Sequence, residues 1–463
     1  MPSCGGGGAC GSNCSRSGGG DDDETRNLLP EPETRSCADD DGQSRPRRLC
    51  FKCGEAEEAH NSMCPPCFRA SVFGKFKLAV TTNAMIAPTD NVLVAFSGGP
   101  ASRLALQFIH EMQYKALKNW DASKSQALPV FGVGVAFIDE SILSPKPFHE
   151  VEKVIEDIKL IVSDLTPAHK ELHIAPIERI YSLDLMEGRG KLKELLHSIA
   201  DATGREDFLQ YLRMLSLQKI ALDNKYNKLV LGSCTSGIAR HVLSSTVKGQ
   251  GYSLPADLQY VDSRWEVPVV LPLRDCLAQE LSMLCNLDGL KLQQVLDRPC
   301  AGINGLVSSF VSLLQDENPS RERTIVRTAE KLKPFGFNKF VENGYHDFLP
   351  SRLRPKFQNI INEETNHSEV LCPICGSPLS ESELLSSKTT CETSQTSLEM
   401  FVAHCCQSCC FQILPRETKS LEQFFSLLPG SMMDRVKNDM SANCRKLREQ
   451  IEDCLLSDDE EGT

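Results

Sequence analysis

The sequence predicts an α/β protein built on a mainly parallel sheet, with a cysteine-rich module on either side. Between residues 88 and 285, short apolar runs alternate with helical patterns, each run ending in a turn. Strands that alternate with helices in this way form a parallel sheet covered by its crossover helices. Cysteines gather before this region and again after it, and none falls between 68 and 233. At 463 residues the chain is long enough for about two to three domains.

Residues 1–44 are rich in Gly, Ser and Asp and lack apolar periodicity, so a disordered acidic tail is expected there. Its Cys4, Cys10 and Cys14 read as unordered thiols, with a weak metal or lipid site as the alternative. The tails at 1–44 and 452–463 carry −6 each, which accounts for the whole net charge of −12. The body between them is neutral, so overall charge neither excludes nor supports an RNA partner. No apolar run approaches the roughly 20 residues of a membrane span, and no export or transit signal is visible. The expectation is a cytoplasmic protein with reduced cysteines. No internal repeat stands out.

The first module, 45–75, holds Cys50, Cys53, Cys64 and Cys67, two Cys-x2-Cys pairs ten residues apart. Four thiolates at this spacing suit a closed tetrahedral Zn²⁺ site, which is structural rather than catalytic.

The α/β region with its helical extension is assigned to 76–345. "NVLVAF" (91–96) is a short apolar run, as in a strand buried on both faces. Ser97, Gly98 and Gly99 follow, then a helix with Leu104, Phe108 and Met112 on one face. Glycines between a strand and a helix suit a phosphate cradle, with Ser102 as an early cap or ligand, but they equally suit a plain turn. The P-loop pattern is not met, because no lysine follows.

A second strand is read at 129–139 and a helix at 147–165, with another helix at 205–223. Residues 227–245 repeat the strand–turn–helix order, and 265–285 supply the last strand and helix. Cys234 sits in a strand-end turn, as a candidate nucleophile or a buried structural thiol. Arg240, His241, Lys248, Arg264 and Arg274 are candidate phosphate contacts, the alternative being ordinary solvated faces. Residues 286–345 read as mostly helical.

The second module, 346–430, pairs Cys372 and Cys375 with Cys406 and Cys409 across a Ser/Thr-rich insert at 380–398. Zinc is again expected, an iron–sulfur cluster being the alternative. Cys405 and Cys410 are spare thiols, and His404 is a possible substitute ligand. Residues 431–463 are expected to form a helix and an acidic tail, where Ser457 precedes four acids and suits an acid-directed kinase.

Three stretches, "VLVAFSGGPASR", "LVLGSCTSGIARHVLSSTVKGQGYSLPAD" and "WEVPVVLPLRDC", together with the flanking cysteines, closely resemble the cytoplasmic tRNA 2-thiolation protein 2 family. The likeness runs from about residue 47 to about residue 430. It implies a PP-loop ATP pyrophosphatase-like fold, also described as adenine nucleotide alpha hydrolase-like. The implied function is 2-thiolation of the wobble uridine (mcm5s2U34) in tRNAs for Lys, Glu and Gln. In that chemistry ATP adenylates the uridine C2 oxygen, and sulfur from a thiocarboxylated ubiquitin-related modifier displaces the leaving group. The implied partners are tRNA, that sulfur carrier and a catalytic paralogue, cytoplasmic tRNA 2-thiolation protein 1.

PP-loop enzymes of this kind read SGGxDS, with the aspartate helping to organise Mg²⁺–ATP. Here the loop is Ser97-Gly98-Gly99-Pro100-Ala101-Ser102, with Ala101 in the aspartate's place. Asp139 is a candidate replacement carboxylate. Catalytic relatives carry cysteines in the stretch that is cysteine-free here, which leaves Cys234 and Cys300 as the thiols in question. Both departures point to a non-catalytic subunit with a degenerate ATP loop. The alternatives are an active adenylating sulfurtransferase, and a zinc adaptor in the ubiquitin-related modifier pathway.

Overall fold

The run Asn91–Ala95 forms β1 and buries Val92, Leu93 and Val94 completely, as a strand covered on both faces must. The computed structural model describes residues 49–55, 62–122, 129–143, 147–166, 169–181, 185–293, 301–338, 370–384 and 397–433. The expectations at Cys4, Cys10, Cys14, Cys300, Ser457 and the acidic tails lie outside these residues.

Six strands form one sheet. They are β1, β2 (Gly132–Asp139), β3 (Glu171–Pro176), β4 (Lys228–Val230), β5 (Val261–Asp262) and β6 (Val269–Val270), in the order β3-β2-β1-β4-β6-β5. Every pairing is parallel except that of β5 with β6 at one edge. The mainly parallel α/β sheet expected from the sequence is therefore present.

On one face lie α1 (Pro65–Thr82), α2 (Pro100–Ala122), α3 (Phe148–Ser163) and α8 (Ala278–Leu287). Their Phe76, Leu104, Phe108, Ile158 and Leu281 share a core with Val92, Val94 and Val135 of the sheet. Against the other face, α5 (Ala202–Asp223) sets Leu217, Ile220 and Ala221 on Leu93, Ala136 and Leu229. α6 (Thr235–Val247) follows β4, and the short α7 (Leu254–Asp257) leads into β5. α9 (Gly302–Glu317) and α10 (Ser320–Ala329) pack beside α6, as the helical reading of 286–345 expects.

α1 was not anticipated as a separate helix. It starts directly after Cys64, and Phe68, Val72, Phe76 and Ala79 are all buried at helical spacing. Arg69 bridges to Glu111 of α2 and, at 2.8 Å, to Asp288 just beyond α8. Lys75 meets Glu280 of α8 at 2.7 Å. The C-terminal cysteines lie with α11 (Ser397–Ala403), α12 (Gln407–Gln412) and α13 (Thr418–Ser426). They share a second apolar cluster with α5 and with α4 (Leu185–Ser198), through Leu192, Leu195, Phe208 and Leu212. At Gly204 the backbone of α5 approaches so closely that a Cβ would collide with the Gln412 carbonyl of α12. The described residues, all of them beyond Arg48, belong to one compact unit.

Candidate site at the glycine loop and two cysteine centres

β1 leads to β2 and β3 on one side, while β4 and the strands after it lie on the other, so the strand order reverses between β1 and β4. In open α/β sheets the crevice beyond the strand ends at such a reversal is where ligands bind. Both glycine turns found in the sequence meet there. A Cβ on Gly232, in the β4–α6 turn, would lie 2.7 Å from the Ser102 nitrogen and 2.8 Å from the Ala101 carbonyl carbon. The Cys285 thiol of α8 comes within 3.6 Å of the Pro100 carbonyl. Asp139 ends β2 at this same edge of the sheet, where its carboxylate accepts the Ser141 N–H at 2.9 Å.

Gly98 has φ +82°, a conformation that favours glycine, and it is buried. The Gln293 backbone covers it: Gln293 N–H donates to the Gly98 carbonyl at 3.0 Å, and a Cβ on Gly98 would collide with the Gln293 carbonyl. The Gln293 side chain donates to Asp157 of α3 at 3.0 Å. Sequence reasoning missed this contact, which joins positions nearly 200 residues apart. Within the loop, Ser102 Oγ accepts the Ser97 N–H at 3.2 Å and the Ser97 hydroxyl at 3.1 Å, and donates to the Gly99 carbonyl at 3.0 Å. The turn thus uses its own hydroxyls to hold its shape. Pro100 has no N–H, so one potential anion donor is absent at the helix start.

Cys234 caps the start of α6 and is only 7% exposed. Burial pushes its thiol pKa up, the opposite of the shift a nucleophilic thiolate needs. Cys276 and Cys285 are buried as well, and burial pushes both up to about 12. At the start of α6, Thr235 Oγ donates to the Arg274 carbonyl at 2.7 Å and Ser236 Oγ to Glu322 at 2.6 Å.

Most of the candidate basic residues are engaged inside the fold. Lys248 pairs with Asp207 at 2.7 Å. Arg264 sits 2.7 Å from both Asp257 and Asp262. Arg274 is buried, donates to the Leu258 carbonyl at 2.7 Å and pairs with Glu330. His241 lies 2.9 Å from Asp257, while Arg240 is exposed.

The two cysteine quartets are each brought together. In Cys50, Cys53, Cys64 and Cys67, and likewise in Cys372, Cys375, Cys406 and Cys409, all four sulfurs lie within 4.8 Å of one another. Facing sulfurs are 3.8 Å apart in the first group (Cys53 and Cys64) and 3.6 Å in the second (Cys375 and Cys406). Zn–S bonds of about 2.3 Å imply a tetrahedral edge of ~3.8 Å, so both donor sets fit that ion.

Both groups are built on one plan, which the sequence did not reveal as a repeat. The first pair flanks a turn closed by a glycine: Gly54 N–H donates to the Cys50 carbonyl at 2.7 Å, and Gly376 N–H to the Cys372 carbonyl at 2.8 Å. Gly54 (φ +71°) and Gly376 (φ +69°) both take the left-handed conformation. The second pair starts a helix, α1 or α12, whose N-terminal dipole favours thiolates. Burial pulls the Cys50 thiol up, but backbone N–H groups of Cys64, Cys53 and Lys52 outweigh it and bring the thiol to about 6. Cys372 accepts the Cys406 N–H at 3.3 Å. Cys405 donates its thiol to the Phe401 carbonyl at 3.3 Å, and His404 Nδ1 lies 2.8 Å from the Met400 carbonyl.

Comparison with known proteins agrees with the motifs. The family model described as cytoplasmic tRNA 2-thiolation protein 2 matches residues 302–454. A protein of that name from Oryza sativa subsp. japonica is 57% identical over 99% of this chain and 98% of its own. Its Arabidopsis thaliana counterpart is 53% identical over 89% of this chain and 92% of its own. Among solved structures, the U34-tRNA thiolase NcsA from Methanococcus maripaludis, with its 4Fe-4S cluster, is 18% identical at a TM-score of 0.48, over 64% of this chain and 90% of that one. A structural likeness at that level carries no weight for the site. No described helix is long and apolar enough to cross a membrane. With more than half of its residues shared with the rice protein across almost its full length, the chain belongs to the cytoplasmic tRNA 2-thiolation protein 2 family.

Proposed function

We propose that the chain is a non-catalytic subunit of the cytoplasmic machinery that 2-thiolates the wobble uridine of tRNAs for Lys, Glu and Gln. It works as a heterodimer with a catalytic PP-loop paralogue, cytoplasmic tRNA 2-thiolation protein 1, and helps to hold tRNA. The paralogue transfers sulfur from the thiocarboxylated ubiquitin-related modifier. The observation that carries this reading is the chemistry of the crevice between β1 and β4. Ala101 stands where a carboxylate would organise Mg²⁺–ATP, and the thiol of the neighbouring turn, Cys234, is buried and pushed up. Adenylation needs the phosphates neutralised, and sulfur transfer needs an accessible thiolate or an equivalent sulfur-handling group. What supports the reading is a glycine turn between β1 and α2 that lacks those groups.

In this reading Ser97, Gly98, Gly99 and Ser102 are the remains of an ATP site. The two cysteine quartets hold structural zinc: four thiolates leave no open position, and the metal fixes the turns around it. Reconstitution tests the assignment. The purified chain with tRNA, ATP and sulfur donor is expected to make no 2-thiouridine, and adding the paralogue restores it. Efficient thiolation by this chain alone sinks the proposal.

A further inference from the structure

The chain that leaves α8 runs back to the glycine loop. Asp288 ends the helix and Gly289 takes φ +59°. The Gly289 and Leu290 N–H groups donate to the Asn286 and Cys285 carbonyls at 3.2 and 2.9 Å, a glycine closure that reverses the chain at a helix end. Leu290 and Leu292 then pack on the apolar cluster that α2 and α3 share with the strands. Arg69 of α1 holds the root of this stretch through Asp288, at 2.8 Å. An ion pair and two leucines thus fix residues 288–292, and Gln293 lies at the tip.

That tip sits on Gly98. The Gln293 N–H donates to the Gly98 carbonyl at 3.0 Å, and the Gln293 carbonyl stands where a Cβ on Gly98 would be. As a result Gly98 is buried, although Ser97 just before it is exposed. A glycine turn at a helix start takes up an anion only when its backbone can be approached. Here the approach is filled by a carbonyl oxygen, and the same residue is tied to the Asp157 carboxylate of α3. Both groups carry the sign of a phosphate oxygen, so they and a phosphate repel one another. Among the described residues, Asp157 is the only side-chain partner of Gln293, at 3.0 Å. The tip is therefore fastened far more lightly than the root.

We propose that residues 288–293 form an intramolecular strap that shuts a triphosphate out of the glycine loop, with the Gln293–Asp157 hydrogen bond as its clasp. The proposal rests on the reading of Ser97, Gly98, Gly99 and Ser102 as the remains of an ATP site. It adds a steric barrier to the missing carboxylate at Ala101.

ATP affinity of the full chain is measured by titration calorimetry, and hydrogen exchange over 288–293 is followed by mass spectrometry. In the parent the strap exchanges slowly and ATP binds weakly. Gln293→Ala and Asp157→Ala are each expected to speed exchange there and to tighten ATP binding about 10-fold. That is the gain in open population from losing one hydrogen bond to a charged group. Asp157→Asn keeps an acceptor for the Gln293 amide and stays with the parent, which separates the clasp from the charge. Unchanged exchange in both alanine variants overturns the clasp, as does equal ATP affinity in Asp157→Asn and Asp157→Ala. Faster exchange or a lowered melting temperature with no gain in ATP affinity overturns the strap and leaves the non-catalytic reading standing. That reading is judged separately, by the 2-thiouridine that the opened variants make without the paralogue. None is expected, and its formation sinks that reading while the strap survives.

Discussion

Two glycines at the β1–β4 crevice set how far the site tolerates change. Gly98 has φ +82° beneath the Gln293 backbone, so a methyl group there meets both a disfavoured conformation and a collision. Gly98→Ala is expected to destabilise by about 1–3 kcal/mol, measurable as a lowered urea midpoint. An unchanged midpoint means that Gln293 does not cover the loop in solution. Asp257 makes a pH prediction. Burial raises its pKa, but Arg264 and His241 outweigh that and hold it at about 2, below the usual 3.8. A carboxyl with a depressed folded value contributes its full stabilisation above the unfolded value and loses it as pH falls through the folded one. The contribution, on the order of 2 kcal/mol, is present above pH ~4 and fades toward pH ~2. Asp257→Asn should therefore lie closer in stability to the parent at pH 3 than at pH 6. Equal gaps at both values count against the ion pair. The glycine turns were legible because local backbone demands select their residues. The fate of the basic residues was not. Lys248 finds Asp207, and Arg274 finds Glu330, 41 and 56 positions away, and nothing local distinguishes such a residue from a solvated one.

Among the elements, α1 links the first cysteine group to the body. Cys64 and Cys67 stand at its start, while Phe68, Val72 and Phe76 enter the core shared with β1 and α2. Phe76 packs on Phe108 of α2 with ring centroids 5.2 Å apart. Phe76→Ala is expected to cost about 3–5 kcal/mol, because the ring is fully buried and its neighbours are tied to the sheet. Thermal unfolding checks this, and a loss below about 1 kcal/mol shows that α1 is not part of the core. The apolar spacing of α1 was present in the sequence, but the adjacent cysteine pattern and Pro65–Pro66 made the stretch read as part of a metal loop. Strand β3 was hidden for a different reason. In "ELHIAP" only Ala175 is buried, so an edge strand with one neighbour left no apolar run to find. By contrast, β1, β2, α2, α3 and α5 were readable, because full burial imposes a continuous or strictly periodic pattern.

At the scale of the whole molecule, the cysteine groups should set stability because neither stands apart from the body. The second group lies in one cluster with Leu195, Phe208 and Phe424, so its turns cannot loosen without exposing the ends of α4 and α5. The first group fixes the start of α1. Metal binding to preformed thiolates adds to folding free energy, and it requires the thiols to lose their protons. Chelation at neutral pH is therefore expected to lower the melting temperature, each ~1 kcal/mol of lost stability being worth roughly 2 °C in a body of this size. Acid should release the metal as well, because protons compete for the same sulfurs. The two groups can be told apart by substitution. Cys409→Ser disturbs a buried ligand inside the second cluster, whereas Cys53→Ser removes an exposed ligand at the edge of the first. The former should lower the melting temperature more, while each variant loses one equivalent of bound metal. If complete metal removal leaves the melting temperature unchanged, the sulfurs are held together by packing alone and the structural-metal reading is wrong.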